Sequence, residues 1–306
     1  MRAERLMPPA NDGLQSTSDY RDWNTLPPSV LSFVAPPPAV VAATGLLQDE
    51  LDQLRREKLD LHTQLFEAAQ IQRKLSGPRL LRHGELQFAS EVFAASFLSG
   101  DFITFSQNGS RVFVAHGDIA GKGIAAGMWF TNLAGLLQSY GRPDSDPAII
   151  ASEVNRHLCY LRPVAPFVTG FIAQIDCDHG AVTYCNAGHF PPMVLRADGR
   201  TELLDQGGPL LGAIEQAEFS SASVTLGPGD TLVAYSDGVL ECCDPSGEEL
   251  GMDRLIETLR CAESHSAHAK LMTVLATLQD FANGSPLRDD VSLTVILRDA
   301  KSAQLF

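Results

Sequence analysis

The sequence has only six cysteines (Cys159, Cys177, Cys185, Cys242, Cys243 and Cys261), and none of them forms a C-x-x-C pair. That spacing excludes a zinc knuckle and a disulfide framework, and it points to free thiols in a reducing compartment. No stretch approaches the roughly 18 apolar residues that a spanning helix needs. The opening "MRAERLMPPA" also lacks a signal-peptide core. The expectation is a cytoplasmic chain without membrane contact. Positive charge is scarce as well: 23 Lys and Arg stand against 37 Asp and Glu, a formal net charge of −14. Such a chain repels phosphate backbones and anionic lipid heads, so nucleic acid and membrane surfaces are poor partners.

What is present suffices for a sizeable core, since 44% of the 306 residues are hydrophobic and 20% charged. Residues 1–45 carry "MPPA", "LPPS" and "APPPAV" and read as a disordered or extended Pro-rich arm. From Leu46 the texture changes. Leu47, Leu51, Leu54, Leu61, Leu65, Ala68 and Leu75 follow alternating spacings of three and four, with Lys58 and Gln72 interrupting the seam. Residues 46–75 therefore read as a heptad helix, and the narrow stripe among charges favours a homodimeric coiled coil over a helix packed on its own domain. "SGP" at 76–78 ends it.

Residues 76–306 read as one catalytic-sized domain. Period-two alternation marks "ELQFASEVF", "RVFVAHGD", "FVTGFIAQID", "AVTYCNAG", "DTLVAYSDG" and "VSLTVILRD" as strands. Helical stretches fall at about 122–140, 146–161, 252–262 and 266–283. They are grouped rather than inserted after every strand, and turns such as "DCDHG" join strands directly. The pattern predicts an α+β fold of antiparallel sheets with helices outside.

The stretch "GDIAGKG" at 117–123 poses a choice between Lys122 and Asp118. A phosphate-cradling Walker loop would need glycine at 116 and a hydroxyl at 123, where the chain has His116 and Gly123. A nucleotide-hydrolysing reading therefore fails. Asp118 closes a buried strand against a glycine turn, and the arrangement recurs with Asp101 in "SGDF", Asp237 in "YSDGV", and Asp289 and Asp290 in "RDDVSLTV". Singly, each is an ordinary turn residue. If they converge, each pair at ~4 Å repels by about 4 kcal/mol at an effective dielectric near 20, which calls for divalent cations. An all-oxygen donor set favours Mg²⁺ or Mn²⁺ over zinc.

In order and spacing, "SGDF…GDIAGKG…NAGHFPP…GGPLLG…YSDGVLE…DDVSLTV" resembles the SpoIIE/RsbU-type branch of the metal-dependent serine/threonine phosphatases, the PPM or protein phosphatase 2C superfamily. The likeness covers about residues 76–300, and "EAAQIQRKLSGPRLL" looks like the helical linker that enters such domains. The resemblance implies a protein phosphatase 2C-like β-sandwich flanked by helices (αββα) and two Mn²⁺ or Mg²⁺ ions at one end of it. By position, Asp118 would bridge both metals and the backbone carbonyl of Ile119 would complete one. Asp101 would hold that same metal, and Asp237 with Asp289 the other, Asp290 being the alternative because neighbouring residues face opposite ways. Gly121 and Lys122 are the candidate substrate contacts.

The resemblance further implies hydrolysis of phosphoserine or phosphothreonine by a metal-bound water, with no covalent phosphoenzyme, on an anti-sigma-factor antagonist of a bacterial partner-switching pathway. An upstream activator would act on the N-terminal helix of the homodimer. His189 in "NAGHFPP" is tempting as a general acid, but the segment looks like a structural turn. Two departures, Ser99 and Thr104 in "SGDFITF" and Ala120 in "DIAGKG", leave the four metal positions intact. The alternative from another class is a catalytically silent phosphatase-fold scaffold or phosphoprotein-binding regulator.

Overall fold

The computed structural model describes residues 38–142, 144–262 and 266–300. Residues 1–37 of the Pro-rich arm lie outside the described set. In chain order the elements are α1 (Pro38–Leu75), β1 (Leu80–His83), β2 (Leu86–Phe93), β3 (Phe102–Asn108), β4 (Arg111–Ile119), α2 (Ile124–Tyr140) and α3 (Pro147–Tyr160). They continue with β5 (Val168–Asp176), β6 (Ala181–Ala187), β7 (Met193–Leu195), β8 (Thr201–Leu203), β9 (Gly207–Gly208) and β10 (Ala222–Thr225). The last are β11 (Thr231–Tyr235), α4 (Asp237–Leu240), α5 (Gly251–Cys261), α6 (Ala267–Ala282) and β12 (Val291–Arg298).

Helix α1 begins at Pro38, upstream of the Leu46 where the heptads start, and proline suits a first helical turn whose N–H has no acceptor. It ends at Leu75, just before Gly77 at φ +86°, a conformation that stops a helix cheaply only at glycine. The chain divides into one unit ending at Lys58 and a second beginning at Leu59, and both sheets belong to the second.

Two sheets make the sandwich. One runs β1-β2-β12-β11-β7-β8 and the other β10-β6-β5-β4-β3, with β9 added to β6 as the parallel pair. The other ladders are antiparallel, as the direct turns predict. Leu86, Phe88, Ile103, Val114, Phe171, Leu232 and Ile296 meet between the sheets. The outer face of the first sheet packs Val233, Tyr235 and Leu293 on Leu255, Leu259 and Leu271 of α5 and α6. The outer face of the second packs Ala115 and Ile172 on Phe130 and Leu133 of α2 and Val154 and Leu158 of α3. Burial of both faces explains the near-continuous apolar runs of the central strands, and it yields the helix–sheet–sheet–helix layering expected from the sequence.

This topology places the aspartates. β3 and β4 are antiparallel, so the start of one and the end of the other lie at the same end of the second sheet. β11 and β12 do the same in the first sheet. The four short segments around Asp101, Asp118, Asp237 and Asp289 occupy those ends.

Candidate active site

Asp101 stands just before β3 and is 3% exposed. Its Oδ2 is buried without a hydrogen-bond partner. Burial first, and then the neighbouring Asp118, hold its carboxyl well above the usual range, with the Ser236 and Ser292 hydroxyls acting the other way. Asp118 sits near the end of β4, and burial together with Asp237, Asp289 and Asp290 pushes its carboxyl up to about 6. Asp237 opens α4; burial raises it first, and Asp289 adds to the rise. The sequence-predicted carboxylates thus converge and repel one another through a partly desolvated space.

Two glycines make the convergence sterically feasible. A Cβ on Gly100 would lie 2.8 Å from the Ile119 carbonyl oxygen, 3.0 Å from Asp118 Oδ1 and 3.2 Å from the Gly121 carbonyl. A side chain there would fill the cradle in which the Asp118 carboxylate and Ile119 carbonyl lie together. A Cβ on Gly238 would fall 2.0 Å from the Asp290 carbonyl, so only glycine lets the Asp237 turn meet the segment before β12.

The adjacent aspartates differ sharply. Asp290 Oδ2 accepts from the Gly100 N–H at 2.6 Å and the Ser99 hydroxyl at 2.9 Å, while Oδ1 accepts from the Ala95 N–H at 2.7 Å. This carboxylate is buried and clasps the 95–100 loop. Asp289 is half-exposed, and its Oδ2 pairs with Lys122 Nζ at 2.8 Å. Lys122 also donates to the Arg288 carbonyl at 3.1 Å, and its ammonium is held above its ordinary range chiefly by Asp289. Gly121 and Gly123 carry positive φ between the end of β4 and the start of α2.

His189 is buried within its turn. Asn186 accepts from the His189 N–H at 2.8 Å and donates to its carbonyl at 3.0 Å, while Nδ1 contacts the Thr169 hydroxyl. Burial lowers this imidazole to about 4. Its ring lies 5.3 Å from that of His116, which is wholly buried with Ser292 at 2.8 Å and Thr294 at 3.1 Å. The polar seam of His116, Ser292 and Thr294 escaped sequence reading, because a hydroxyl in a strand carries no sign of which sheet it faces.

The donor set is all oxygen and contains an orphaned buried carboxylate oxygen beside an open backbone cradle, which fits a hard divalent cation. Among the described residues, no group of three or more His, Cys, Asp or Glu side chains closes around one point tightly enough to hold an ion as it stands. The Cys242 thiol is raised by burial, the reverse of an activated thiolate. Among the described residues no helix is long and apolar enough to cross a membrane.

The profile of the SpoIIE family, Stage II sporulation protein E, matches residues 108–299. The chain belongs to this family. It is 27% identical over 262 residues to the phosphoserine phosphatase RsbU of Bacillus subtilis, across 85% of this chain and 77% of that protein. It is 29% identical over 190 residues to the phosphoserine phosphatase RsbP of the same organism, across 60% of this chain but only 47% of RsbP. In fold it is similar to the SiaA-PP2C domain of Pseudomonas aeruginosa, with a TM-score of 0.68 at 18% identity over 79% of this chain and 99% of that domain. This SpoIIE-family chain therefore carries the protein phosphatase 2C-like sandwich that its motifs implied.

Proposed function

We propose that this SpoIIE-family protein is a divalent-metal-dependent protein serine/threonine phosphatase, acting on phosphoserine or phosphothreonine of an anti-sigma-factor antagonist in a partner-switching pathway. The observation that carries the reading is the mutual repulsion at Asp118, whose carboxyl rises to about 6 among Asp237, Asp289 and Asp290 while Asp101 keeps an orphaned oxygen. Four aspartates at neighbouring strand ends are costly to a fold unless a cation offsets them.

Asp118, the Ile119 carbonyl and Asp101 would hold one ion, and Asp118, Asp237 and Asp289 a second, with Mn²⁺ or Mg²⁺ as the ion. When bound, such ions supply charge neutralisation of the phosphoryl oxygens and an acidified water for in-line attack. The chain's own part is to position and to exclude. Gly100 keeps the cradle open, Asp290 fixes the loop that carries Asp101, and Lys122, paired with Asp289 in this structure, would be the chain's own cation for a phosphoryl oxygen. The apolar sandwich below lowers the local dielectric, which strengthens each of these interactions.

The name phosphoserine phosphatase, borne by RsbU and RsbP, supports the substrate class. The heptad leucines Leu47, Leu51, Leu54 and Leu61 are exposed in the single chain, which supports a homodimer through α1 with an activator acting on it.

The test is Mn²⁺-dependent phosphate release by the full chain from an aryl phosphate and a phosphoserine peptide, beside Asp118→Asn. Metal-dependent turnover that disappears in the variant is the expected result. Metal binding without turnover on either substrate would instead support a silent phosphatase-fold regulator.

A further inference from the structure

Residues 97–100, immediately before Asp101, are held from several sides, Ser99 and Gly100 both by Asp290. The Phe97 ring lies 5.0 Å from that of His62 on α1. Leu98 packs so closely on α2 that a Cβ at Gly127 would approach its Cδ1 to 2.6 Å. Gly100 donates to Asp290 and accepts from the Ile119 N–H at 3.2 Å, which joins it to the Asp118–Ile119 segment. Ser99 is gripped from the other side. The Gln72 side-chain amide donates to the Ser99 carbonyl at 2.7 Å and accepts from the Ser99 N–H at 3.1 Å.

This is a two-bond bridge from the last turn of α1 to the main chain two residues before a site aspartate. Both bonds are made by one planar amide, so they fix orientation as well as distance. Beneath the bridge lies a cavity of about 170 Å³ lined by Gln72, Arg73, Ser76, Phe97, Ser99 and Asp101. The helix end and the Asp101 loop are therefore joined across a gap by hydrogen bonds rather than by dense side-chain packing, and the cavity leaves the loop room to shift when the bridge opens.

We propose that Gln72 is a positioning residue for the metal centre: by bridging to the Ser99 main chain it sets the stance of Asp101 and thereby the affinity for the divalent cation. The inference rests on the reading of the carboxylate centre as a metal site. It also explains why a glutamine interrupts the apolar seam of α1 at this position. A hydrophobic residue at 72 would lengthen the heptad stripe but would leave the Ser99 N–H and carbonyl without their partner. A movement of α1 along or about its axis acts on the cation site through these two bonds.

The experiment uses the full chain and titrates MnCl₂ calorimetrically into the wild type, Gln72→Ala, Gln72→Met and Gln70→Ala. Methionine keeps the length of the side chain and removes both bonds, while Gln70 lines the same cavity and serves as the control for damage to the helix end. Outer supports of metal ligands are worth roughly 10- to 100-fold in affinity, so both Gln72 variants are expected to raise the Kd for Mn²⁺ by about tenfold. Gln70→Ala should stay within about twofold of the wild type, and turnover of the Gln72 variants should recover at saturating Mn²⁺. Unchanged Mn²⁺ affinity in folded Gln72→Met, or equal losses in Gln70→Ala, would overturn the positioning role while leaving the phosphatase reading intact. A wild-type chain that binds no Mn²⁺ would overturn both.

Discussion

The Lys122 ammonium lies 2.8 Å from Asp289 Oδ2, so the chain's own cation stands on one of the carboxylates assigned to the metal. The pair is largely exposed, and pairs of this kind contribute only about 0–1 kcal/mol to stability. Its consequence lies in competition. Lys122→Met should leave the melting temperature nearly unchanged, leave Mn²⁺ affinity equal or tighter because Asp289 is released, and lower kcat/KM on a phosphoserine peptide by about tenfold through a lost phosphoryl contact. Calorimetry and steady-state kinetics on the same variant check the three together. A weaker Mn²⁺ affinity would show that Lys122 supports the ligand set rather than competing with it.

Asp118 sets a pH dependence whose sign is opposite to that of a salt-bridged carboxylate. Its folded pKa is raised to about 6, so the protonated form favours folding. That contribution is fully present below the unfolded value near 4 and is lost as pH rises through about 6. In chelator, thermal stability should therefore fall between about pH 4 and 6, and added Mn²⁺ should restore it above pH 6. Asp118→Asn abolishes the repulsion along with the ligand. It should be more stable than the metal-free wild type at pH 7.5, by on the order of 2–3 kcal/mol, and gain nothing from Mn²⁺. Denaturant titrations with and without chelator decide this.

Asp289 and Asp290 should part company under substitution. Asp290 accepts three hydrogen bonds from the 95–100 loop. Asp290→Ala leaves the buried Gly100 N–H and Ser99 hydroxyl without their acceptor, each at a cost of about 1–3 kcal/mol, and should lower stability even in chelator. Asp289→Ala breaks the half-exposed pair with Lys122 and one local bond from the Asp290 N–H at 2.9 Å, so it should destabilise far less than Asp290→Ala, but bind Mn²⁺ at least tenfold more weakly. Equal melting temperatures for the two variants would contradict the clasp.

The aspartates were legible because each stands beside a glycine or another aspartate at a strand end, where the alternating pattern stops. Their convergence was legible only through family resemblance, since spacing alone does not tell which strand ends share an edge. β3 escaped the pattern because Phe102, Ile103, Thr104 and Phe105 are all buried and do not alternate. The four-residue α4 is too short to have a period. Gln72 read as a flaw in a heptad because its partner lies 27 residues away, in a loop with no periodicity. Sequence patterns report which face of an element is buried; they are silent on polar side chains that bond to a distant main chain.

The leucine stripe of α1 stands in water in the single chain. Leu51 and Leu54 are 43% and 55% exposed, and neighbouring helix bonds such as Gln53 to Glu57 stay on the polar side. Solvated leucines at three- and four-residue spacing are stable in water chiefly when a second helix covers them, each burial contributing about 1.5–3 kcal/mol. The full chain should therefore sediment as a dimer at micromolar concentration. Leu51→Glu with Leu54→Glu puts like charges across the seam and should give a monomer with an intact sandwich, seen by light scattering and near-UV circular dichroism. The monomer should also lose any dependence of Mn²⁺ affinity on protein concentration, because the last turn of α1, which carries Gln72, then has no partner helix to set its stance. A dimer that survives both charges would place the interface elsewhere.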